Sequence, residues 1–279
     1  MINKISMNTV NVKEICIGSG HPLTLIAGPC VIENESDTIR IAEEIRRISE
    51  PLSIPFIFKA SYEKDNRSSA DYYRGPGLDI GLRILERVKK DVGVPVLSDV
   101  HRETDVKAAA SVLDVLQVPA FLCQQTSLLL AMGKTGKPIN IKKGQFLSPY
   151  TMKCPVDKVL STGNQQILLT ERGTTFGYDR LVSDICSVPI MQSLGFPVVF
   201  DATHIVRCYG TPSSNPEGGK PQFIDPLARA GVAAGCDAIF IETHPDPMNA
   251  LCDASSMLPI KQLKYLLEII LLLSRIVRK

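Results

Sequence analysis

The sequence carries almost no surplus charge: 31 Lys and Arg against 29 Asp and Glu leave a net +2, with the two signs interspersed. A nucleic-acid partner calls for a concentrated basic face, so that class is excluded. Among the eight irregularly spaced cysteines there is no CxxC pair and no dense framework. Free, mostly buried thiols in a reducing cytoplasm are the expectation. Long apolar runs are missing too. The most apolar stretch, residues 265–273, is too short to cross a bilayer and is interrupted by Glu268, so no membrane role is expected. Residues 1–20 contain Lys4, Lys13 and Glu14 without an apolar core, which does not suit a secretory signal. No low-complexity tract or linker divides the chain. A single domain over 1–279 is expected, with 1–20 as an N-terminal extension.

What is present is an alternation of two periods. Residues 10–12 and 15–17 alternate like the arms of a short hairpin covering one end of the domain. Continuous apolar runs then recur at 24–27, 56–58, 95–97, 115–118, 138–141, 167–169, 197–200 and 238–241. Between them lie stretches of helical spacing. The first is capped by Ser36 or Asp37 and carries Ile41, Ile45 and Ile48 on one face; the second is capped by Asp79. Further helices are expected at 104–113, 127–132, 152–160, 179–194, 223–234 and 259–277, with Pro155 interrupting one and Pro189 bending or dividing another. Strands apolar throughout are buried on both faces, as in a parallel sheet covered by helices. Eight strand–helix units predict an α/β fold of the (β/α)8 TIM-barrel type with a short N-terminal β-hairpin.

Polar residues collect where each strand ends, the face on which such barrels carry their sites. Residues 59–77 hold Lys59, Lys64, Arg67 and Arg74 among Ser61, Asn66, Ser68 and Ser69, a mixture of charge and directed donors suited to phosphate or carboxylate. Lys142, Lys143 and Arg172 follow strands five and six. So many cations on one rim would repel one another unless anions occupy it, which predicts a polyanionic substrate. Cys30 ends strand one, His204 follows strand seven, Glu242 ends strand eight and Asp253 lies beyond it. Closure places strand eight between seven and one, so these four side chains can converge. A thiolate, an imidazole and two carboxylates suit Zn, Fe or Mn rather than Mg or Ca. Asp99, His101, Asp201 and His244 also stand at strand ends and are candidates for orienting a ligand.

In order along the chain come Leu25-Ile26-Ala27-Gly28-Pro29-Cys30 with Glu33, Phe58-Lys59-Ala60-Ser61, Asn66-Arg67-Ser68-Ser69 and Arg74-Gly75-Pro76-Gly77-Leu78. There follow Gln117-Val118-Pro119-Ala120-Phe121-Leu122, Asn140-Ile141-Lys142-Lys143-Gly144-Gln145-Phe146, Thr170-Glu171-Arg172-Gly173, Asp201-Ala202-Thr203-His204 and Glu242-Thr243-His244-Pro245. This series resembles the 3-deoxy-D-manno-octulosonate 8-phosphate (Kdo 8-phosphate) synthase family from about the first barrel strand to Pro259. The resemblance implies condensation of phosphoenolpyruvate with D-arabinose 5-phosphate, for the inner core of lipopolysaccharide, by a cytoplasmic homotetramer. Carried over by position, Lys59, Lys64, Lys142, Arg172 and His204 match the phosphoenolpyruvate set. Asn66, Arg67 and Ser68 match the arabinose 5-phosphate site, with Arg67 on the phosphate.

Ser61, Asp99 and Gln117 complete the expected substrate-binding residues, and His204, Lys64 and Asp253 are expected to carry catalysis. Cysteine at position 30 resembles the metal-dependent class, with Cys30, His204, Glu242 and Asp253 as the ligands of one divalent ion. A heptulosonate-phosphate synthase, the nearest alternative, typically carries lysine-proline-arginine at its sugar site, unlike Asn66-Arg67-Ser68. A non-catalytic phosphosugar sensor on the same barrel is the alternative from another class. Three departures from the family pattern stand out: Asp65 in place of alanine, Ile205-Val206-Arg207 after the histidine, and the stretch 208–221.

Overall fold

Eight apolar strands close into a parallel barrel. They are β1 (Thr24–Gly28), β2 (Phe56–Lys59), β3 (Val96–Asp99), β4 (Val115–Val118), β5 (Ile139–Lys142), β6 (Ile167–Glu171), β7 (Val198–Asp201) and β8 (Ala238–His244). Each pairs with its sequence neighbours, and β8 pairs with both β7 and β1, closing the ring. The structure is a computed structural model describing residues 7–278; the first six residues of the expected extension and Lys279 lie outside it. Eight α-helices alternate with the strands: α1 (Glu35–Ser49), α2 (Leu78–Asp91), α3 (Val106–Val112), α4 (Thr126–Gly133), α5 (Lys153–Leu160), α6 (Ser187–Gln192), α7 (Ile224–Ala233) and α8 (Ile260–Val277). The architecture is the expected (β/α)8 barrel.

Two cores result from the two faces of each strand. Outward side chains such as Leu25, Phe58, Val96, Leu116 and Ile141 pack against the helices. Inward ones, including Ile26, Ile57, Leu97, Val115, Leu168, Val199 and Phe240, form a separate cluster inside the barrel. The antiparallel hairpin of Val10–Val12 and Ile15–Ile17 inserts Val10, Val12 and Ile17 into that inner cluster and closes the N-terminal end. Further toward the C-terminal end, the inward positions of β2 to β8 are polar. Lys59, Asp99, Gln117, Lys142, Thr170, Asp201 and Glu242 occupy them, all buried.

Several local expectations are corrected. The cap of α1 is Asn34, whose Oδ1 accepts from the Asp37 amide at 2.8 Å, rather than Ser36 or Asp37. Helix α2 begins at Leu78 after Gly77, without a side-chain cap, so Asp79 is its second residue. Pro155 and Pro189 break nothing, because each is the third residue of its helix, where an amide has no intrahelical partner to lose. The stretch expected as helix from 179 begins instead with a strand, Arg180–Val182, paired antiparallel to Thr174–Phe176. Helix α8 carries more apolar residues than its one packed face buries. Leu263, Leu266, Leu267 and Ile270 are buried, whereas Tyr265, Leu272 and Ile276 are exposed.

Candidate active site

The C-terminal mouth of the barrel opens into a cavity of about 390 Å³. Lys64, Asn66, Arg67, Ser68, Asp99, Gln117, Lys142, Arg172, His204 and Asp253, all candidates from the sequence, line it. Lys59, Ser61, Cys30 and Glu242 are buried and are not among the lining residues. Their polar atoms are engaged by neighbours. Lys59 Nζ donates to the Cys30 carbonyl at 2.8 Å and to Glu242 Oε1 at 3.0 Å, and Ser61 Oγ donates to Asp99 Oδ2 at 2.6 Å. A Cβ on Gly28 would lie 2.1 Å from the Lys59 carbonyl oxygen, so a glycine lets β1 approach β2 closely just before Cys30.

One hydrogen-bonded chain runs across four strands. Asp99 on β3 accepts from Gln117 Nε2 on β4 at 2.6 Å, Gln117 Oε1 accepts from Asn140 Nδ2 on β5 at 2.8 Å, and Asn140 Oδ1 accepts from Thr170 Oγ1 on β6 at 2.5 Å. This chain fixes the Gln117 amide and leaves Asp99 Oδ2 to face Ser61 and Lys64, whose Nζ is 3.1 Å away. Burial alone would raise the pKa of Asp99. Lys64 and then Lys59 outweigh it and hold the carboxyl well below its usual range. Burial alone would lower Lys64, but Asp99 first, with Cys30 and Glu242 behind it, together raise the ammonium well above its ordinary value.

Lys142 pairs with Asp201 and lies 3.7 Å from the centre of the Phe240 ring. Burial dominates there and lowers the Lys142 pKa in spite of Asp201. Asp201 also accepts from the backbone amides of Thr203 and His204, and its Oδ2 lies 2.7 Å from His204 Nδ1. His204 thereby turns Nε2 toward Glu242 Oε1 at 3.7 Å and Asp253 Oδ2 at 3.8 Å. Asp201 would be raised by its burial, but His204 and Lys142 keep it well below the usual range.

The two arginines differ from the lysines. Arg67 donates from Nη1 to Cys252 Sγ at 2.8 Å and stacks over Tyr72; Arg172 donates from Nη2 to the Tyr209 hydroxyl at 2.9 Å. Arg67 Nε and Arg172 Nη1 are buried with no hydrogen-bond partner among the described residues. An unpaired buried charged donor is costly, so both point to a ligand that completes them.

Not every predicted cation belongs here. Lys143 is fully buried, donates to Thr174 Oγ1 at 2.9 Å and lies 3.6 Å from Glu171. Adjacent residues at a strand end point to opposite faces, so Lys142 and Lys143 cannot both serve the barrel mouth. Arg74 pairs with Glu63 and Asp65, and Arg102 also holds Asp65 at 2.8 Å. The unusual Asp65 is thus neutralised outside the cavity. His101 reaches the Glu63 carbonyl at 3.2 Å and His244 the Asp246 carbonyl at 2.8 Å; of the four orienting candidates, Asp99 and Asp201 face the site.

Cys30, Cys252 and Asp253 form one group of ligand-type atoms, and His204, Glu242 and Asp253 a second; within each, all atoms lie within 4.8 Å. Asp253 joins the two, with Oδ2 accepting from Cys30 Sγ at 3.2 Å. In a tetrahedral site with bonds of about 2.0–2.3 Å, donors stand roughly 3.3–3.8 Å apart. The separations of 3.2, 3.7 and 3.8 Å are of that order within each group, whereas Cys30 does not fall in a single 4.8 Å group with both His204 and Glu242; Asp253 is the residue the two groups share. The Cys30 thiol is pushed well up by burial first and then by Cys252 and Asp253. Cys252, Arg207, Gln145 and Tyr209, also on the cavity wall, were not singled out from the sequence for the site. Arg207 lies 3.7 Å from Asp253 Oδ1 and donates to the Gly218 carbonyl at 2.8 Å.

A parallel eight-strand barrel with a cation-rich mouth beside a Cys-His-Glu-Asp group defines a class, and comparison with known proteins names it. The chain matches the DAHP synthetase I family over residues 4–278 and belongs to that family. More particularly, it is 52% identical over 271 residues to a 2-dehydro-3-deoxyphosphooctonate aldolase of Syntrophotalea carbinolica, covering 97% of this chain and 98% of that protein. It is also 52% identical over 259 residues to the Geobacter sulfurreducens protein of the same name, covering 93% and 95%. A Geobacter sp. (strain M21) relative, again of that name, is 53% identical over 259 residues, covering 93% and 94%.

Proposed function

We propose that this chain, as one barrel domain, condenses phosphoenolpyruvate with D-arabinose 5-phosphate and water. The products are 3-deoxy-D-manno-octulosonate 8-phosphate and inorganic phosphate, for the inner core of lipopolysaccharide. The observation that carries this reading is the pair of unsatisfied guanidinium donors, Arg67 Nε and Arg172 Nη1, in one cavity. Two anchors of fixed charge suit two phosphorylated substrates held together. The full-length relatives named for the eight-carbon product support it further.

In this reading Arg172, Lys142, Lys64 and His204 receive phosphoenolpyruvate, with Lys59 setting the charge beneath them. Arg67, Asn66 and Ser68 receive the sugar phosphate. Ser61, Asp99 and Gln117 act by holding Lys64 in place. C3 of the enol bonds to the aldehyde carbon, whose oxygen takes a proton. Water oxygen bonds to C2, and the C2–O bond breaks as phosphate departs. Negative charge grows on the aldehyde oxygen and the leaving phosphate, and prepositioned Lys64, Lys142 and Arg172 stabilise it. His204, with Asp201 at Nδ1, presents Nε2 to the cavity for proton movement, beside Asp253. Cys30, His204, Glu242 and Asp253 would hold one Zn, Fe or Mn ion, which supplies Lewis acidity to the aldehyde or to the attacking water.

Phosphate release measured with phosphoenolpyruvate and a panel of aldose phosphates tests the reaction. Arabinose 5-phosphate is expected to be used far better than erythrose 4-phosphate; equal or better turnover of the four-carbon sugar overturns the assignment.

We further infer a cytoplasmic homotetramer. Exposed Tyr265, Leu272 and Ile276 on α8, and exposed Phe121, Phe146 and Phe176 in the segments that follow β4, β5 and β6, supply apolar surface for subunit contacts. All eight cysteines are free, which suits a reducing compartment. Among the described residues no helix is long and apolar enough to cross a membrane.

A further inference from the structure

Tyr209 stands in the loop between β7 and α7, within the stretch that departs from the family pattern. Its backbone is tied at two places: the Tyr209 amide donates to the Asp179 carbonyl at 3.1 Å, and the preceding Cys208 amide to Gly218 at 2.9 Å. Its hydroxyl oxygen accepts from Gln145 Nε2 at 2.7 Å and from Arg172 Nη2 at 2.9 Å. Two accepted bonds occupy both lone pairs of a phenol, which leaves its O–H proton as the remaining hydrogen-bonding capacity. No hydrogen bond donated by this hydroxyl is formed among the described residues. The group lies on the cavity wall beside Arg172, whose Nη1 is the buried donor without a partner.

We propose that Tyr209 is a substrate-positioning residue: its O–H joins Arg172 Nη1 in binding one anionic group, the phosphate of phosphoenolpyruvate. The identity of that anion rests on the function proposed above. The hydroxyl has two linked effects. Its oxygen holds the Arg172 guanidinium at the angle that presents Nη1, and two charged or polarised N–H donors on that oxygen make its proton a stronger donor toward phosphate. Gln145 acts through Tyr209, fixing the hydroxyl with its own donated hydrogen bond.

The test is Tyr209→Phe, which keeps the ring and removes the hydroxyl. Titration of the wild-type protein with phosphoenolpyruvate alone comes first, by calorimetry; no binding there overturns the proposed function and this inference with it. With binding established, the variant is expected to show a dissociation constant and a KM for phosphoenolpyruvate raised about tenfold or more, the loss of a hydrogen bond to a charged acceptor. The KM for arabinose 5-phosphate, assigned above to Arg67, is expected to change less than about twofold, and the melting temperature by about 1 °C or less. A structural hydroxyl would instead lower the melting temperature and weaken both substrates together. Unchanged phosphoenolpyruvate affinity, or an equal loss for both substrates, overturns the inference while leaving the reaction assignment intact.

Discussion

Replacing Asp99 with Asn removes the only carboxylate that Lys64 touches among the described residues, without changing the size of the side chain. Asp99 is 3% exposed and Lys64 7%, so water cannot make good the loss. Three donors converge on Asp99: Ser61 Oγ at 2.6 Å, Lys64 Nζ at 3.1 Å and Gln117 Nε2 at 2.6 Å. An amide supplies one acceptor atom where the carboxylate supplied two, so one donor is left facing an NH2 group. Breaking one side of a buried pair costs about 3–5 kcal/mol. Lys59 keeps Glu242 at 3.0 Å, which favours the lower end. At about 2–4 °C per kcal/mol for a chain of this size, the melting temperature is expected to fall by roughly 10 °C.

The pH dependence has a definite sign. The Asp99 pKa is depressed in the folded protein, so its stabilisation is present above the unfolded value of about 3.9 and is lost as pH falls through the folded one. The wild-type advantage over Asp99→Asn is therefore expected to be constant from about pH 5 to 9 and to shrink below about pH 4. In the variant Lys64 loses the partner that raises its pKa, so phosphoenolpyruvate KM is expected to climb with pH at lower pH than in wild type. Scanning calorimetry and KM–pH profiles read both effects. A variant melting within about 1 °C of wild type, with an unchanged profile, refutes the account of Asp99 as counter-charge.

A chelator is expected to abolish activity, and Mn, Fe or Zn to restore it; full activity in protein shown metal-free by elemental analysis would refute the ligand assignment. Because the Cys30 thiol sits well above its usual pKa, metal uptake near pH 7 is expected to release a proton and to tighten by up to about tenfold per pH unit, as read by calorimetry in two buffers. Cys30→Asn is expected to fold, to lose that proton release and to show some metal-free turnover. Lys143→Met is expected to lower the melting temperature, leaving Glu171 without its ammonium, while both KM values stay within about twofold, since Lys143 is turned from the cavity. A rise of tenfold in either KM would return Lys143 to the site.

The barrel was legible because its strands are continuous apolar runs, and the neighbourhood of Asp253 with Cys30 on one side and with His204 and Glu242 on the other because closure brings β7, β8 and β1 side by side. What was missed has specific physical causes. The strands Thr174–Phe176 and Arg180–Val182 bury little more than Leu181, so no alternation marks them. Arg67 and Arg74 occupy one loop, and only tertiary contacts with Glu63 and Asp65 take Arg74 away from the cavity. Asn140 and Thr170, by contrast, could have been found. Counting by twos back from Lys142 reaches Asn140, and from the inner-core Leu168 forward reaches Thr170, the positions that complete the chain from Asp99.

The division of labour between the cations follows from their chemistry. Lys59, Lys64 and Lys142 are buried, and each meets an acid: Glu242, Asp99 and Asp201 respectively. A buried ammonium without such a partner would lose its proton, whereas a guanidinium keeps its charge and can be left with free donors. That is the arrangement found, with the unpaired N–H groups on Arg67 and Arg172. The lysine–acid pairs hold a nearly neutral floor that persists when substrate is absent. The free donors are left on the two arginines, whose charge does not depend on being occupied. In the proposed reaction, a site built this way would release inorganic phosphate without repulsion among its own cations destabilising the empty state, because each lysine keeps its acid.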